Sequence, residues 1–354
     1  MKTIRYLLAV LVVAALAPAA CMQEGCGPMG DVEFVCGLVN AEDLVAVPGT
    51  PWIIASGMAA GAGFTAIDSM TGESKPLAVT AYYNDGMYPR DCSAPPEAGE
   101  FESHGLSLRD VQDGQLTLHV VGHGAREAIE IYDVDVTPEG PSLTWKACIP
   151  MPAGLAANSV AAFENGEIVA TVLFTPGKTF ADAVVDKEPT GAVYEWKLGD
   201  EGFTLIEGSE LPANNGIEVS EDGREIYVAS SGLQTIVAFS NSNPTEQLRT
   251  SGPLPITPDN VHMSPDGRLL TAGMKNDVPE CGGPPGPEHT IEILSACPRG
   301  TIAVEIDPAT MADHVLAETP ALEVFSNATM VLPAGGRYWF GTFSGDRVAS
   351  APMP

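Results

Sequence analysis

Four places along this 354-residue chain carry side chains with hard oxygen donors: Glu42-Asp43, Asn158, Asn214-Asn215-Gly216 and Asp259-Asn260. Each lies just before, or between, strand-like runs. Carboxylate and amide oxygens together suit Ca2+, a hard cation that takes about six to eight oxygen ligands. Glu42 and Asp259 would match the charge of the cation, and the asparagines Asn158, Asn215 and Asn260 would add neutral oxygens. Taken singly, each is a weak signal, because Asn-Gly and Asp-Asn pairs are ordinary turn residues. Asn215 is preferred over Asn214 because it directly precedes Gly216-Ile217. Two histidines, His104 before Gly105 and His123 before Gly124, add groups whose unperturbed pKa lies near neutrality, as a general base on water requires. His119 lies on a strand run and reads as packed or solvent-facing, not catalytic, and His262, His289 and His314 have no supporting context.

Other hydrolytic chemistries find no support. The chain holds no Gly-x-Ser-x-Gly elbow and no His-Glu-x-x-His pair. Gly177-Lys178-Thr179 lacks the upstream glycine of a phosphate-binding loop. Asp133-Val134-Asp135 is explained by strand alternation with Ile131.

Such donors converge only if the fold brings distant segments together. Helical periodicity is scarce, and a turn followed by an apolar run recurs instead. Pro48-Gly49 precedes Trp52–Ser56, Asp113-Gly114 precedes Leu116–Val121, and Asn165-Gly166 precedes Ile168–Val172. Asp222-Gly223 precedes Ile226–Ala229, Asp266-Gly267 precedes Leu269–Ala272, and Gly335-Gly336 precedes Tyr338–Thr342. These are hairpin turns in which glycine supplies the left-handed conformation. Six units at near-even spacing predict an all-β, six-bladed β-propeller over residues 36–354. The inner strands of its blades would start around one axis, forming a central calcium-binding tunnel. A Pro/Gly-rich stretch, Pro279–Pro287, reads as an inserted loop.

The N-terminus reads as a secretory signal over residues 1–20: Lys2 and Arg5, a short apolar run Tyr6–Leu16, then small residues before Cys21. Cys21 after Ala19-Ala20 resembles a bacterial lipoprotein cleavage site, with Pro18 where such sites usually carry Leu. Cleavage near Ala19 or Ala20 without lipid is the alternative. The expectation is an exported protein, either a cell-envelope lipoprotein or secreted, with any membrane contact made through a lipid on Cys21. Residues 21–35 read as a tether. Setting Cys21 aside leaves an even six cysteines, as an oxidising compartment favours. Nearest-neighbour pairing gives Cys26–Cys36, Cys92–Cys148 and Cys281–Cys297. A net charge of −29 repels phosphate backbones and excludes nucleic acid as a partner. The expected partner is a small molecule, and a monomer is expected.

Together these segments resemble the paraoxonase/arylesterase family of calcium-dependent lactonases. The match rests on Ala41-Glu42-Asp43-Leu44, Ser103-His104-Gly105-Leu106-Ser107, Leu118–His123, Ala157-Asn158-Ser159-Val160, Ala213–Ile217 and Pro258-Asp259-Asn260-Val261, in this order. The resemblance implies a six-bladed propeller with two calcium ions. A catalytic ion would be held by Glu42, Asn158, Asn215, Asp259 and Asn260. A structural ion would use Asp43 and the carbonyl of Leu106, with Ser159 standing where the family has a second carboxylate. The implied catalytic pair is His104 and His123, acting on a lactone or aryl ester. A sugar-lactone hydrolase of the gluconolactonase/regucalcin type and a non-catalytic calcium-stabilised propeller that binds a partner at the cell envelope are the alternative readings. Lys275 stands where the family has a histidine, and the C-terminal Val348–Pro354 has no cysteine for the family's disulfide, so closure of the propeller falls to strand pairing or Cys36 has another partner.

Overall fold

The computed structural model describes residues 25–81, 88, 92–110, 115–283, 290, 293 and 296–354. The proposed signal segment, Cys21 and His289 lie outside them. Within them the chain forms six sheets, antiparallel but for one rim strand, arranged as the blades of a propeller.

Blade 1 runs Leu44–Ala46, Trp52–Ala55, Thr65–Asp68 and Ser74–Pro76 from axis to rim. Blade 2 follows with Glu102–Asp110, Leu116–His123, Ala128–Thr137 and Gly140–Pro150, and Val79–Ala81 adds a parallel strand at its rim. Blade 3 is Val160–Ala162, Ile168–Val172, Ala192–Trp196 and Thr204–Leu205; blade 4 is Asn214–Val219, Glu225–Ser230, Thr235–Ser240 and Gln247–Thr250. Blade 5 is Ile256–Met263, Leu269–Lys275, Thr301–Ile306 and Asp313–Thr319. Blade 6 takes Ala328–Ala334, Arg337–Thr342 and Arg347–Pro352 from the C-terminus, and its rim strand Glu33–Cys36 from the N-terminus.

That last strand closes the ring. Glu33 pairs with Ser350 and Cys36 with Arg347, antiparallel. Cys36 is also bridged to Cys26, and Arg347 donates to the Gly25 carbonyl. The segment read as a tether therefore gives its last residues to blade 6, because the C-terminal blade lacks a rim strand of its own. The other two nearest-neighbour bridges, Cys92–Cys148 and Cys281–Cys297, are present as well. Three disulfides fit an oxidising compartment. Among the described residues no helix is long and apolar enough to cross a membrane.

The core is divided into six wedges, each lying between two neighbouring blades. Successive residues of one strand feed opposite wedges. Ile53 packs between blades 6 and 1, and Ile54 between blades 1 and 2, both with no exposure. Each such side chain contributes about 1.5–3 kcal/mol on burial. A strand buried on both faces needs an unbroken apolar run. The six runs after the glycine turns are all the second strand of a blade. Asp113-Gly114 lies outside the described residues; among the described turns Gly166 and Gly223 both have positive φ, 86° and 67°, as expected.

Candidate metal centre

The inner strands are irregular where it matters. Pairing to the second strand slips between Ser103 and Leu106 in blade 2, between Asn214 and Ile217 in blade 4, and between Pro258 and Val261 in blade 5. These bulges hold His104-Gly105, Asn215-Gly216 and Asp259-Asn260. A bulge turns two neighbouring side chains out of strict alternation, so both can reach the axis. Glycine is required at two of them. A Cβ on Gly105 would lie 2.7 Å from the Cα of Ser159, and one on Gly216 would lie 2.5 Å from the Asp259 carbonyl oxygen. Glu42-Asp43 and Asn158 sit just ahead of the inner strands of blades 1 and 3.

Five of the predicted donors come together. Asn260 Nδ2 donates to Glu42 Oε1 at 2.7 Å, and Asn158 Nδ2 donates to Asn215 Oδ1 at 2.6 Å. The Asn215 side chain also reaches Asp259. Asn214 instead turns away and caps its own turn, through Leu211 N and the Ser209 carbonyl. Blade 6 contributes Thr329, whose hydroxyl donates to the Glu42 carbonyl. Burial, reinforced by Asp43, pushes the Glu42 carboxyl well above the usual carboxylate range. Burial and the neighbouring Glu42 do the same to Asp259.

Two oxygens in this group are buried without a hydrogen-bond partner: Glu42 Oε2 and Asn260 Oδ1. Orphaned buried acceptors are costly and call for an explanation. Both are hard oxygens of the kind a divalent cation takes as ligands. Among the described residues no group of three or more His, Cys, Asp or Glu forms a metal site; the set here is two carboxylates and three amides. Its chemistry is that of an oxygen-liganded ion.

A chain of imidazoles leads from this group. His104 Nε2 is 3.5 Å from Glu42 Oε2. His104 Nδ1 and His123 Nε2 are 3.0 Å apart, and His123 Nδ1 is 2.6 Å from Glu127 Oε2. Burial pushes His104 below the usual histidine value, against the pull of Asp259 and Asp43, so its ring is neutral near pH 7. Glu127 was not anticipated. It lies in the short turn after His123, where two hairpin strands return side by side.

A second tier lies further along the same strands. Asp43 Oδ1 accepts from Leu44 N at 2.8 Å and contacts His262 Nε2 at 2.7 Å, while Oδ2 accepts from Leu106 N at 2.8 Å. Glu218 accepts from Val219 N, from Met263 N and from the Arg109 guanidinium. Burial alone would lower His262, but the Asp43 carboxylate and Glu218 beside it hold it at about 8. His262 had no supporting context as a lone residue, yet it lies two positions after Asn260, and strand periodicity puts both on one face. Lys275 is remote from this tier and pairs with Glu318 at 2.7 Å.

The chain matches no protein-family model and no curated protein sequence. Its fold is similar to that of several solved structures. A luciferin-regenerating enzyme aligns with a TM-score of 0.52 at 12% identity, over 91% of this chain and 94% of that one. A gluconolactonase from Xanthomonas campestris aligns with a TM-score of 0.52 at 14% identity, over 91% of this chain and 89% of that one. Regucalcin from Agrobacterium tumefaciens, a calcium-binding protein, aligns with a TM-score of 0.51 at 10% identity, over 90% of this chain and 91% of that one. At these identities the likeness establishes the fold alone, a six-bladed propeller.

Proposed function

We propose that this protein is a calcium-dependent hydrolase of lactones. The observation that carries the reading is the pair of orphaned buried oxygens, Glu42 Oε2 and Asn260 Oδ1, set among further hard donors beside the His104–His123–Glu127 chain. Glu42, Asn158, Asn215, Asp259 and Asn260 would hold the ion. When bound, calcium supplies a Lewis acid that polarises an ester carbonyl and stabilises the developing oxyanion.

The protein's own groups handle the proton. Glu127 accepts from His123 Nδ1, which leaves His123 Nε2 as an acceptor for His104 Nδ1–H. His104 Nε2 is then the free base and faces the Glu42 carboxylate. It takes a proton from water as the water attacks the carbonyl, and the positive charge is shared with His123 and Glu127. A neutral buried imidazole suits this role, since burial already keeps it unprotonated.

The neighbours named gluconolactonase and regucalcin support a sugar lactone as substrate; the paraoxonase-like order of motifs supports aliphatic lactones and aryl esters. One assay separates them. Purified protein is given a sugar lactone, an aliphatic lactone and phenyl acetate, with calcium and after EDTA. Turnover that disappears with EDTA and returns with calcium is expected for at least one lactone. Calcium binding with no turnover of any of the three would overturn the hydrolase and leave a calcium-stabilised binding propeller. The natural substrate is a small molecule, and the protein acts outside the cytoplasm, with Cys21 as the site of an N-terminal lipid. Mass measurement of the mature N-terminus tests that last point.

A further inference from the structure

The paraoxonase resemblance implies a second ion, held by Asp43, the Leu106 carbonyl and the position of Ser159. The residues in that tier do not fit one. Asp43 has both oxygens engaged: Oδ1 by Leu44 N and His262, Oδ2 by Leu106 N. Leu106 therefore turns its N–H, not its carbonyl, toward the carboxylate. Ser159 carries no charge, and its backbone N–H and carbonyl are both taken up by Thr171, at 3.1 and 3.0 Å. That removes one of the two negative charges a divalent cation would need.

Cationic and hydrogen-bonding side chains fill the tier instead. Arg109 from blade 2 pairs with Glu218 from blade 4, and the same Glu218 accepts from Met263 N at 2.9 Å. His262 from blade 5 pairs with Asp43 from blade 1 at 2.7 Å and approaches Glu218 at 4.0 Å. Four blades are thus tied through one polar network, which is the structural work an axial ion would otherwise do. An incoming Ca2+ would meet a carboxylate whose Oδ1 already serves two donors and whose Oδ2 serves a third, and would face an arginine that is always charged.

We infer that this protein binds a single calcium ion, and that the Asp43–His262–Glu218–Arg109 network stands in the place of a second. The inference rests on the proposed metal centre at Glu42 and Asp259, and its test distinguishes the two. The full-length protein is loaded with calcium, dialysed to low free calcium, and the retained ions per chain are counted by mass spectrometry. One ion is expected. Two ions would overturn the inference while leaving the proposed centre at Glu42 and Asp259 intact; no ion would overturn that centre, and this inference with it. The count needs no variant, so it does not depend on any substitution folding. His262→Asp then replaces the ring with a carboxylate facing Asp43. It is expected to raise the count from one to two and to make the unfolding midpoint respond to added calcium. A folded variant that still retains one ion would overturn the assignment of His262 to the ion's place.

Discussion

Asn260 Nδ2 donates to Glu42 Oε1 at 2.7 Å across 218 residues of chain. The contact joins blade 5 to blade 1 over the axis. It also fixes both side chains so that each keeps its other oxygen buried and without a partner. An amide and a carboxylate that satisfy one another only by half, both buried, are arranged as preorganised ligands of the proposed cation would be. Sequence distance is no obstacle, since the inner strands of all blades meet there.

The raised carboxyls set a pH dependence for the ion-free protein. Burial lifts Glu42 and Asp259 above the usual carboxylate range in the folded state. A group whose folded pKa is raised contributes stability that is complete below its unfolded pKa and is lost as pH rises through the folded one. EDTA-treated protein is therefore expected to lose thermal stability as pH rises above the ordinary carboxylate range. Calcium-loaded protein is expected to be spared, because the ion compensates the ionised pair. Thermal unfolding across a pH series checks this: the gap between loaded and stripped midpoints should widen with pH. A constant or narrowing gap would contradict it.

Glu127 touches no ligand of the proposed ion and acts through His123, from 2.6 Å. It is a positioning residue. Glu127→Gln is expected to lower kcat by about 10–100-fold with KM little changed, the usual size of an effect exerted through an orienting partner. His104→Gln removes the base and is expected to cost about 100–10,000-fold. Equal losses in KM and kcat for Glu127→Gln, with an unaltered pH profile, would reduce it to a surface ion pair.

Gly216 lets blade 4 approach blade 5. A Cβ there would meet the Asp259 carbonyl oxygen and Val261 N, each at 2.5 Å, and neither is a flexible side chain that can step aside. Gly216→Ala is expected to destabilise the fold by about 1–3 kcal/mol, the range for overpacking. Because the strand that must yield carries Asp259 and Asn260, calcium affinity should fall with it. Calorimetry with and without calcium reads both effects. An unfolding midpoint and an affinity matching wild type would show that the strands separate freely.

His119 lies outside the proposed metal centre and gives an independent pH effect. Burial pushes its ring down to about 4, with Arg109 nearby adding to the shift. A depressed folded pKa means stability that is present above the unfolded histidine value and is lost as pH falls toward 4. The span is worth on the order of 3 kcal/mol. His119→Phe should flatten the acid limb of the stability curve between about pH 6.5 and pH 4. A limb as steep as that of wild type would assign the acid loss to other groups.

The second strand of every blade was legible because a strand buried on both faces reads as an apolar run after a glycine turn; Ile168–Val172 and Tyr338–Thr342 are examples. The rim strand Glu33–Cys36 was not, since most of it is only partly buried and its partner lies at the far end of the chain. Glu42, Asn215, Asp259 and Asn260 were visible as hard donors beside turns, and the structure brings them together. His262 escaped because a lone histidine carries no signal, although its two-residue offset from Asn260 was there to be used. Thr329 offered even less, since a hydroxyl in a strand is commonplace and its role depends on a bulge between Ala328 and Met330.

The most direct test of the account is the rate of lactone hydrolysis as calcium is returned to EDTA-stripped protein, measured for wild type and for Asp259→Ala. Wild-type turnover should rise from near zero and saturate with calcium. Asp259→Ala should need a calcium concentration about two orders of magnitude higher, or fail to respond, because one of two ligand charges is gone. A wild-type rate that is the same with and without calcium, or an unchanged calcium requirement in Asp259→Ala, would contradict the metal centre described above.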